Sequence, residues 1–340
     1  MEARKRIVLS DKHKDEECDT LFYQGYCATQ VQALKYIGNQ KITATTGEIM
    51  WCTGRNNLPP LNVIYKLHIG PEISDVNLHP YDSYTSMLNP IKLRDSVQTW
   101  ISNKYYGYHF HAPLQAYTES VRFAVPIYSQ ISFGQETDMQ SHRKKYDSWL
   151  EKEDRTSGLI LWGVSRGTAA TFCAFAKEKY KEVKLVVLEG AVDSMPEVFE
   201  NIYSHRVVSA INTGLSFFTQ YRPDGPSPLK MVADFPENIP VVFITSKIDS
   251  IYSNTENIAC ALARKGKNDV YLLKLERSNH ATYMFDDGDD HDCYETFIHA
   301  IYKKYNLKHD SELARKGEDL ISTYTLCEVE SKMSYLKKVS

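Results

Sequence analysis

Leu159-Ile160-Leu161-Trp162-Gly163-Val164-Ser165-Arg166-Gly167-Thr168-Ala169-Ala170-Thr171-Phe172-Cys173-Ala174-Phe175-Ala176 is the stretch on which the reading of this chain turns. Its first four residues form an apolar run of strand type, and Thr168 to Ala176 reads as a helix of small and apolar residues. Between them Gly163 to Gly167 follow the pattern G-x-S-x-G. A strand that turns into a helix so abruptly strains the residue at its apex. It also crowds the two flanking positions, so both call for glycine. The turn lifts the Ser165 hydroxyl above the sheet edge, with a helix N-terminus beneath it. The free N–H groups and partial positive charge of that terminus suit an oxyanion. Two glycines and a serine meet by chance in many turns, so the flanking strand and helix give the pattern its weight.

Downstream the alternation continues. Ile239-Pro240-Val241-Val242-Phe243-Ile244-Thr245 is a short apolar, β-branched run introduced by proline, which predicts a buried strand ending at Ser246-Lys247-Ile248-Asp249-Ser250. Asn254 to Lys265 has helical spacing and is stopped by Gly266. Val270-Tyr271-Leu272-Leu273-Lys274-Leu275 predicts a further strand, followed by Glu276-Arg277-Ser278-Asn279-His280. A carboxylate therefore follows one strand and a histidine the next. Strands alternating with helices imply parallel order, and parallel sheets gather functional loops at the carboxyl ends of their strands. Ser165, Asp249 and His280 would share that edge. Asp193, after the strand Lys184 to Leu188, is the alternative acid. His291 and His299 lie in or near the final helix and are weaker rivals of His280.

This order of serine, acid and histidine resembles the α/β-hydrolase superfamily, in particular the branch around dienelactone hydrolases and prolyl-oligopeptidase-type catalytic domains. In that branch a stretch like Ser227-Pro228-Leu229-Lys230 leads through a proline-led strand to the acid. The resemblance is specific from about 159 to 280, looser over 19–37 and 121–149, and absent over roughly 40–119. It implies a mostly parallel, doubly wound sheet with helices on both faces and cap or insert segments. It also implies that Ser165 is the nucleophile, His280 the general base and Asp249 the group that orients it. The backbone N–H of Arg166 would be one oxyanion donor. The second would come from the turn after Asp19 to Tyr23, from Tyr26 or Gly25; many relatives have His-Gly where this chain has Gln24-Gly25. A helix over 28–37, a strand over 122–130 and a helix from Phe133-Gly134 to about 151 complete the expected order.

Composition narrows the function classes. With 340 residues, the chain can hold one large α/β domain or two smaller ones, and its 42% hydrophobic share is ample for a packed core. A net charge of −3 suggests neither nucleic-acid nor membrane-surface binding. No apolar run approaches the ~18 residues of a transmembrane helix. The basic start, Met1-Glu2-Ala3-Arg4-Lys5-Arg6, leads into too short an apolar run for a signal peptide. Seven scattered cysteines suit a reducing compartment. The expectation is a cytoplasmic protein, with signal-independent export also compatible. Asp286-Asp287-Gly288-Asp289-Asp290-His291-Asp292 lacks the closing glutamate of a calcium loop and reads as a solvated acidic loop capping the last helix. No metal or organic cofactor is expected.

The expected organisation is a hydrolase domain over 1–306 and a charged helical tail over 307–340. Two segments interrupt the domain. One, 40–119, is rich in Asn, Tyr, Pro and His; the other, 196–236, has helical patterns and the position of a lid. The expected function is a serine hydrolase acting on a small-molecule or acyl substrate (an ester, thioester or amide), with esterase chemistry favoured because it asks least of the leaving group. The alternatives are a prolyl-oligopeptidase-type peptidase and a non-catalytic scaffold binding a protein partner. The sequence does not specify an oligomeric state.

Overall fold

The computed structural model describes residues 15–23, 47–52, 133–200, 204–218, 220–249, 254–280, 283–284 and 288–323. Among them are six strands: β1 (Cys18–Tyr23), β2 (Ile49–Cys52), β3 (Gly158–Val164), β4 (Val183–Glu189), β5 (Val241–Ser246) and β6 (Val270–Leu275). They form one sheet in the order β2-β1-β3-β4-β5-β6, and every neighbouring pair is parallel. The helices are α1 (Glu136–Leu150), α2 (Arg166–Glu178), α3 (Met195–Glu200), α4 (His205–Phe218), α5 (Pro228–Met231), α6 (Thr255–Lys265), α7 (Asp289–Lys304) and α8 (Ser311–Thr323).

Strand side chains alternate between two buried layers, which is why the strands are predominantly apolar on both faces. Ile160, Trp162 and Val164 of β3 face one layer with Leu185, Val187, Val242 and Ile244. Phe297, Ile298 and Ile301 of α7 close that layer, with Leu320 and Ile321 of α8 against it. Leu159 and Leu161 face the other layer with Val186, Leu188 and Phe243. Helices α1, α2 and α6 close this one through Met139, Trp149, Phe172, Phe175, Ile258 and Leu262. Each such side chain, taken fully out of water, contributes about 1.5–3 kcal/mol before entropy is counted. Helix α8 lies on α7, and a Cβ at Gly317 would run into the Thr296 carbonyl oxygen, so the helices touch backbone to backbone there.

Strand β2 lies within 40–119, the segment the sequence analysis set aside as an insert, yet it pairs with β1 from Thr20–Ile49 to Tyr23–Cys52. A four-residue strand carries too few residues to show a period. The carboxylate of Asp19 explains its anchoring. It accepts from the Glu48 N–H at 2.9 Å, the Thr156 N–H at 3.0 Å and the Trp149 indole at 2.8 Å. That network ties the starts of β1 and β2 to the chain after α1. The expected helix over 28–37 and strand over 122–130 lie outside the described residues.

The strand order reverses at β1: the chain leaves β1 for β2 on one side, and β3 lies on the other. Such a reversal splays the loops after the adjacent strands and opens a crevice at their carboxyl ends. Ser165 directly follows β3, at that crevice.

Candidate active site

Ser165 occupies the apex of the β3–α2 turn with φ 52° and ψ −123°, outside the regions side chains normally allow. The local packing leaves no alternative. A Cβ at Gly163 would stand 2.7 Å from the Gly167 carbonyl oxygen and 2.8 Å from the Thr168 Cα, both backbone atoms that cannot swing aside. Hydrogen bonds then hold the turn. The Ser165 N–H donates to the Glu189 carbonyl at 2.8 Å. The Ser165 carbonyl accepts from the Thr168 N–H at 2.8 Å and the Thr168 hydroxyl at 2.5 Å. That hydroxyl accepts from the Val192 N–H at 3.1 Å, which stitches the loop after β4 to the turn. Ser165 is the N-cap of α2 and Arg166 its first residue, so the Arg166 N–H lies at the positive end of the helix.

The Ser165 hydroxyl lies 2.8 Å from His280 Nε2. His280 Nδ1 lies 2.6 Å from Asp249 Oδ1. A carboxylate only accepts, so Nδ1 carries the proton and Nε2 presents its lone pair to the serine. Asp249 is 1% exposed, and its second oxygen, Oδ2, accepts from the Tyr283 hydroxyl. Beneath the imidazole lies Gly190, at φ +56°. A Cβ there would come within 2.9 Å of both His280 Cε1 and the Tyr283 oxygen.

The loop carrying His280 is fastened from outside. The Asp290 carboxylate, in the first turn of α7, accepts from the N–H groups of Glu276, Arg277 and Ser278 at 3.0, 2.8 and 2.7 Å. It also accepts from the Ser278 hydroxyl at 2.7 Å. Burial by itself would raise the Asp290 pKa; these donors outweigh it and hold the carboxyl below its usual range. The Ser246 hydroxyl, at the end of β5, donates to the Ser278 carbonyl. The acidic run read from the sequence as a solvated loop thus supplies the bracket of the histidine loop.

Asp193, the alternative acid, is used elsewhere. Its Oδ1 accepts from the Leu229 N–H at 2.6 Å at the start of α5, and burial pushes its pKa up despite the Leu229 and Ser227 donors. Asp249, not Asp193, meets His280. Gly25 and Tyr26 lie outside the described residues. Two further buried acids flank the turn. Glu189, fully buried, accepts from the Trp162 indole and the Tyr294 hydroxyl at 2.7 Å each. Asp138, also fully buried, has its Oδ2 4.0 Å from Arg166 Nε and accepts from the Gly134 N–H at 2.5 Å. The sequence reading missed Tyr283, Gly190, Asp290, Glu189 and Asp138. Asp290 lay in the acidic run ahead of the last helix and Glu189-Gly190 at the end of a strand, but Tyr283 and Asp138 carried no local signal.

Among the described residues no group of three or more His, Cys, Asp or Glu side chains could hold a metal ion. No helix among them is long and apolar enough to cross a membrane.

No family model matches the chain, and no curated protein matches it in sequence. Solved structures do show similarity. An acylaminoacyl peptidase from Pyrococcus horikoshii aligns over 87% of this chain and 39% of its own, at 10% identity and TM-score 0.49. A dienelactone hydrolase from Anabaena variabilis aligns over 86% of this chain and 84% of its own, at 12% identity and TM-score 0.38. A Pyrococcus furiosus esterase aligns over 89% and 84%, at 9% identity and TM-score 0.38. The chain spans well under half the length of the archaeal peptidase. The chain's own topology says more: a six-stranded parallel sheet reversing at β1, a strained serine turn after β3, an acid after β5 and a histidine after β6. This is the α/β-hydrolase fold.

Proposed function

We propose that the chain is a serine hydrolase that cleaves an ester, thioester or amide through an acyl-enzyme on Ser165, with a carboxylic ester as the favoured substrate. The observation that carries the reading is the continuous relay from the Ser165 hydroxyl through His280 to the buried Asp249, at 2.8 and 2.6 Å. Ser165 Oγ attacks the acyl carbon while His280 Nε2 takes its proton. The carbonyl π electrons move onto oxygen, and the Arg166 N–H at the head of α2 stabilises the oxyanion. Asp249 holds the imidazole in the tautomer this requires and stabilises the imidazolium. His280 then gives the proton to the departing alcohol, thiol or amine. In the second half-reaction water attacks the acyl-enzyme with His280 as base, releasing the acid and restoring the Ser165 hydroxyl.

A fluorophosphonate probe and a series of p-nitrophenyl acyl esters test this directly. Wild type is expected to label, and Ser165→Ala to lose labelling entirely. His280→Ala should lose at least about 1,000-fold in kcat, and Asp249→Asn about 100- to 10,000-fold. Asp193→Asn should stay within a few-fold of wild type. Folded wild type that neither labels nor turns over any ester, thioester or amide would overturn the proposal.

A further inference from the structure

We propose that Tyr283 is a positioning residue of this site, holding the Asp249 carboxylate in the one orientation from which it can serve His280; the inference deepens the serine-hydrolase reading and rests on it. An aspartate carboxyl turns about a soft, two-fold torsion, so one hydrogen bond leaves its plane poorly defined. Asp249 is almost completely buried, so water is poorly placed to supply the missing restraint. His280 Nδ1 donates to Oδ1 and the Tyr283 hydroxyl donates to Oδ2. Two donors on the two oxygens define the plane and place Oδ1 against the imidazole.

The donor is itself a fixed point. Tyr283 is fully buried, and its ring belongs to the apolar layer with Val164, Val187, Ile244 and Met284. Its hydroxyl therefore projects from a packed core, unlike the end of a flexible arm. Gly190 completes the seat. Any side chain there would press on the Tyr283 oxygen and His280 Cε1 together, so the tyrosine and the histidine rest on one spot of backbone. Tyr283 follows His280 by three residues, so one short piece of chain delivers both the base and the clamp on its acid.

Tyr283→Phe removes the hydroxyl and keeps the ring. The expected result is a kcat about 10- to 100-fold lower, the range for one hydrogen bond to a buried charge, with KM within about threefold. In an Asp249→Asn background the same substitution should change kcat by less than about threefold, because the hydroxyl acts through the carboxylate. The His280 Nδ1 proton, read as a low-field proton resonance, should move in Tyr283→Phe and vanish in Asp249→Asn. A purely packing role predicts equal losses in both backgrounds and an unmoved resonance; either result overturns the inference, as does a wild type in which no such resonance exists. The resonance reports the clamp without turnover. An inactive wild type whose resonance still answers to Tyr283 would therefore sink the hydrolase reading and leave the clamp standing.

Discussion

The serine and the histidine reach the same sheet edge by different physical means. Ser165 is placed by backbone. Gly163 abuts the Gly167 carbonyl and the Thr168 Cα, the apex is held at φ 52°, and the bonds to the Glu189 carbonyl and Thr168 lie within the turn and its neighbouring strand. His280 is placed by side chains. Asp290, ten residues on, grips the chain before it, Ser246 reaches across from β5, and Asp249 Oδ1 accepts from the imidazole while the Tyr283 hydroxyl donates to Asp249 Oδ2. A steric turn tolerates almost no substitution and leaves a local sequence signature. A bracket of hydrogen bonds tolerates more and leaves none.

Substitutions at the two sites test this contrast. The largest effect is expected from Gly163→Val, whose side chain meets backbone on the helix side. Stability should fall by about 3 kcal/mol or more in urea unfolding, with fluorophosphonate labelling lost. Labelling retained at wild-type rate would show that the turn is held by something other than sterics. Next comes Gly190→Ala. Its Cβ meets the fixed Tyr283 oxygen and His280 Cε1, so the imidazole is the group that gives way, and the left-handed backbone adds a cost of about 1 kcal/mol. It should lower kcat about 100-fold by displacing His280, while Ser165 keeps its place. Asp290→Asn should cost about tenfold in kcat, because an amide offers one acceptor oxygen to four donors. A variant equal to wild type would remove the bracket from the account.

Acid acts differently on the bracket of the histidine loop, where a group is held ionised, and on the α1–α2 packing, where one is held neutral. The folded pKa of Asp290 is lowered, so its bonds contribute fully above the unfolded value of about 3.9 and are lost only as pH falls through the folded one. Where α1 packs on Tyr180, burial pushes His142 down to about 3. His142 stacks between Tyr23 and Tyr180, and its Nδ1 lies 3.1 Å from the Tyr180 hydroxyl. The folded state binds that proton later than the unfolded chain. The neutral-histidine contribution is therefore intact above about pH 6.5 and falls between there and about 3, by up to about 1.4 kcal/mol per pH unit. Between pH 7 and 5, amide protection factors, corrected for the slower intrinsic exchange in acid, should fall in α1 and α2 while those of Glu276 to Ser278 hold. His142→Phe should flatten the acid slope and leave neutral stability within about 1 kcal/mol; an unchanged slope would exclude His142 as its source.

Much of the fold was legible because its signals are local. Val241 to Ser246 and Val270 to Leu275 are strands buried on both faces except at the half-buried Lys274, so each carried an apolar run of at least four residues, and Gly266 at φ +67° ends α6 where the sequence placed the stop. The sequence by itself determined the serine turn, whose geometry only Gly163 and its neighbours permit, and the placement of Asp249 and His280 just past strand ends. Tertiary structure decided which acid faces the histidine. Asp193 and Asp249 both follow parallel strands, and only folding shows that one accepts from Leu229 and the other from His280. It also decided that Ile49–Cys52 joins the sheet beside β1, that Tyr283 donates to Asp249, and that Asp290 accepts from the chain before His280. The physical reason is the range of the forces. Backbone sterics act between residues adjacent in sequence, whereas a buried hydrogen bond is set by whatever the fold brings to its other end.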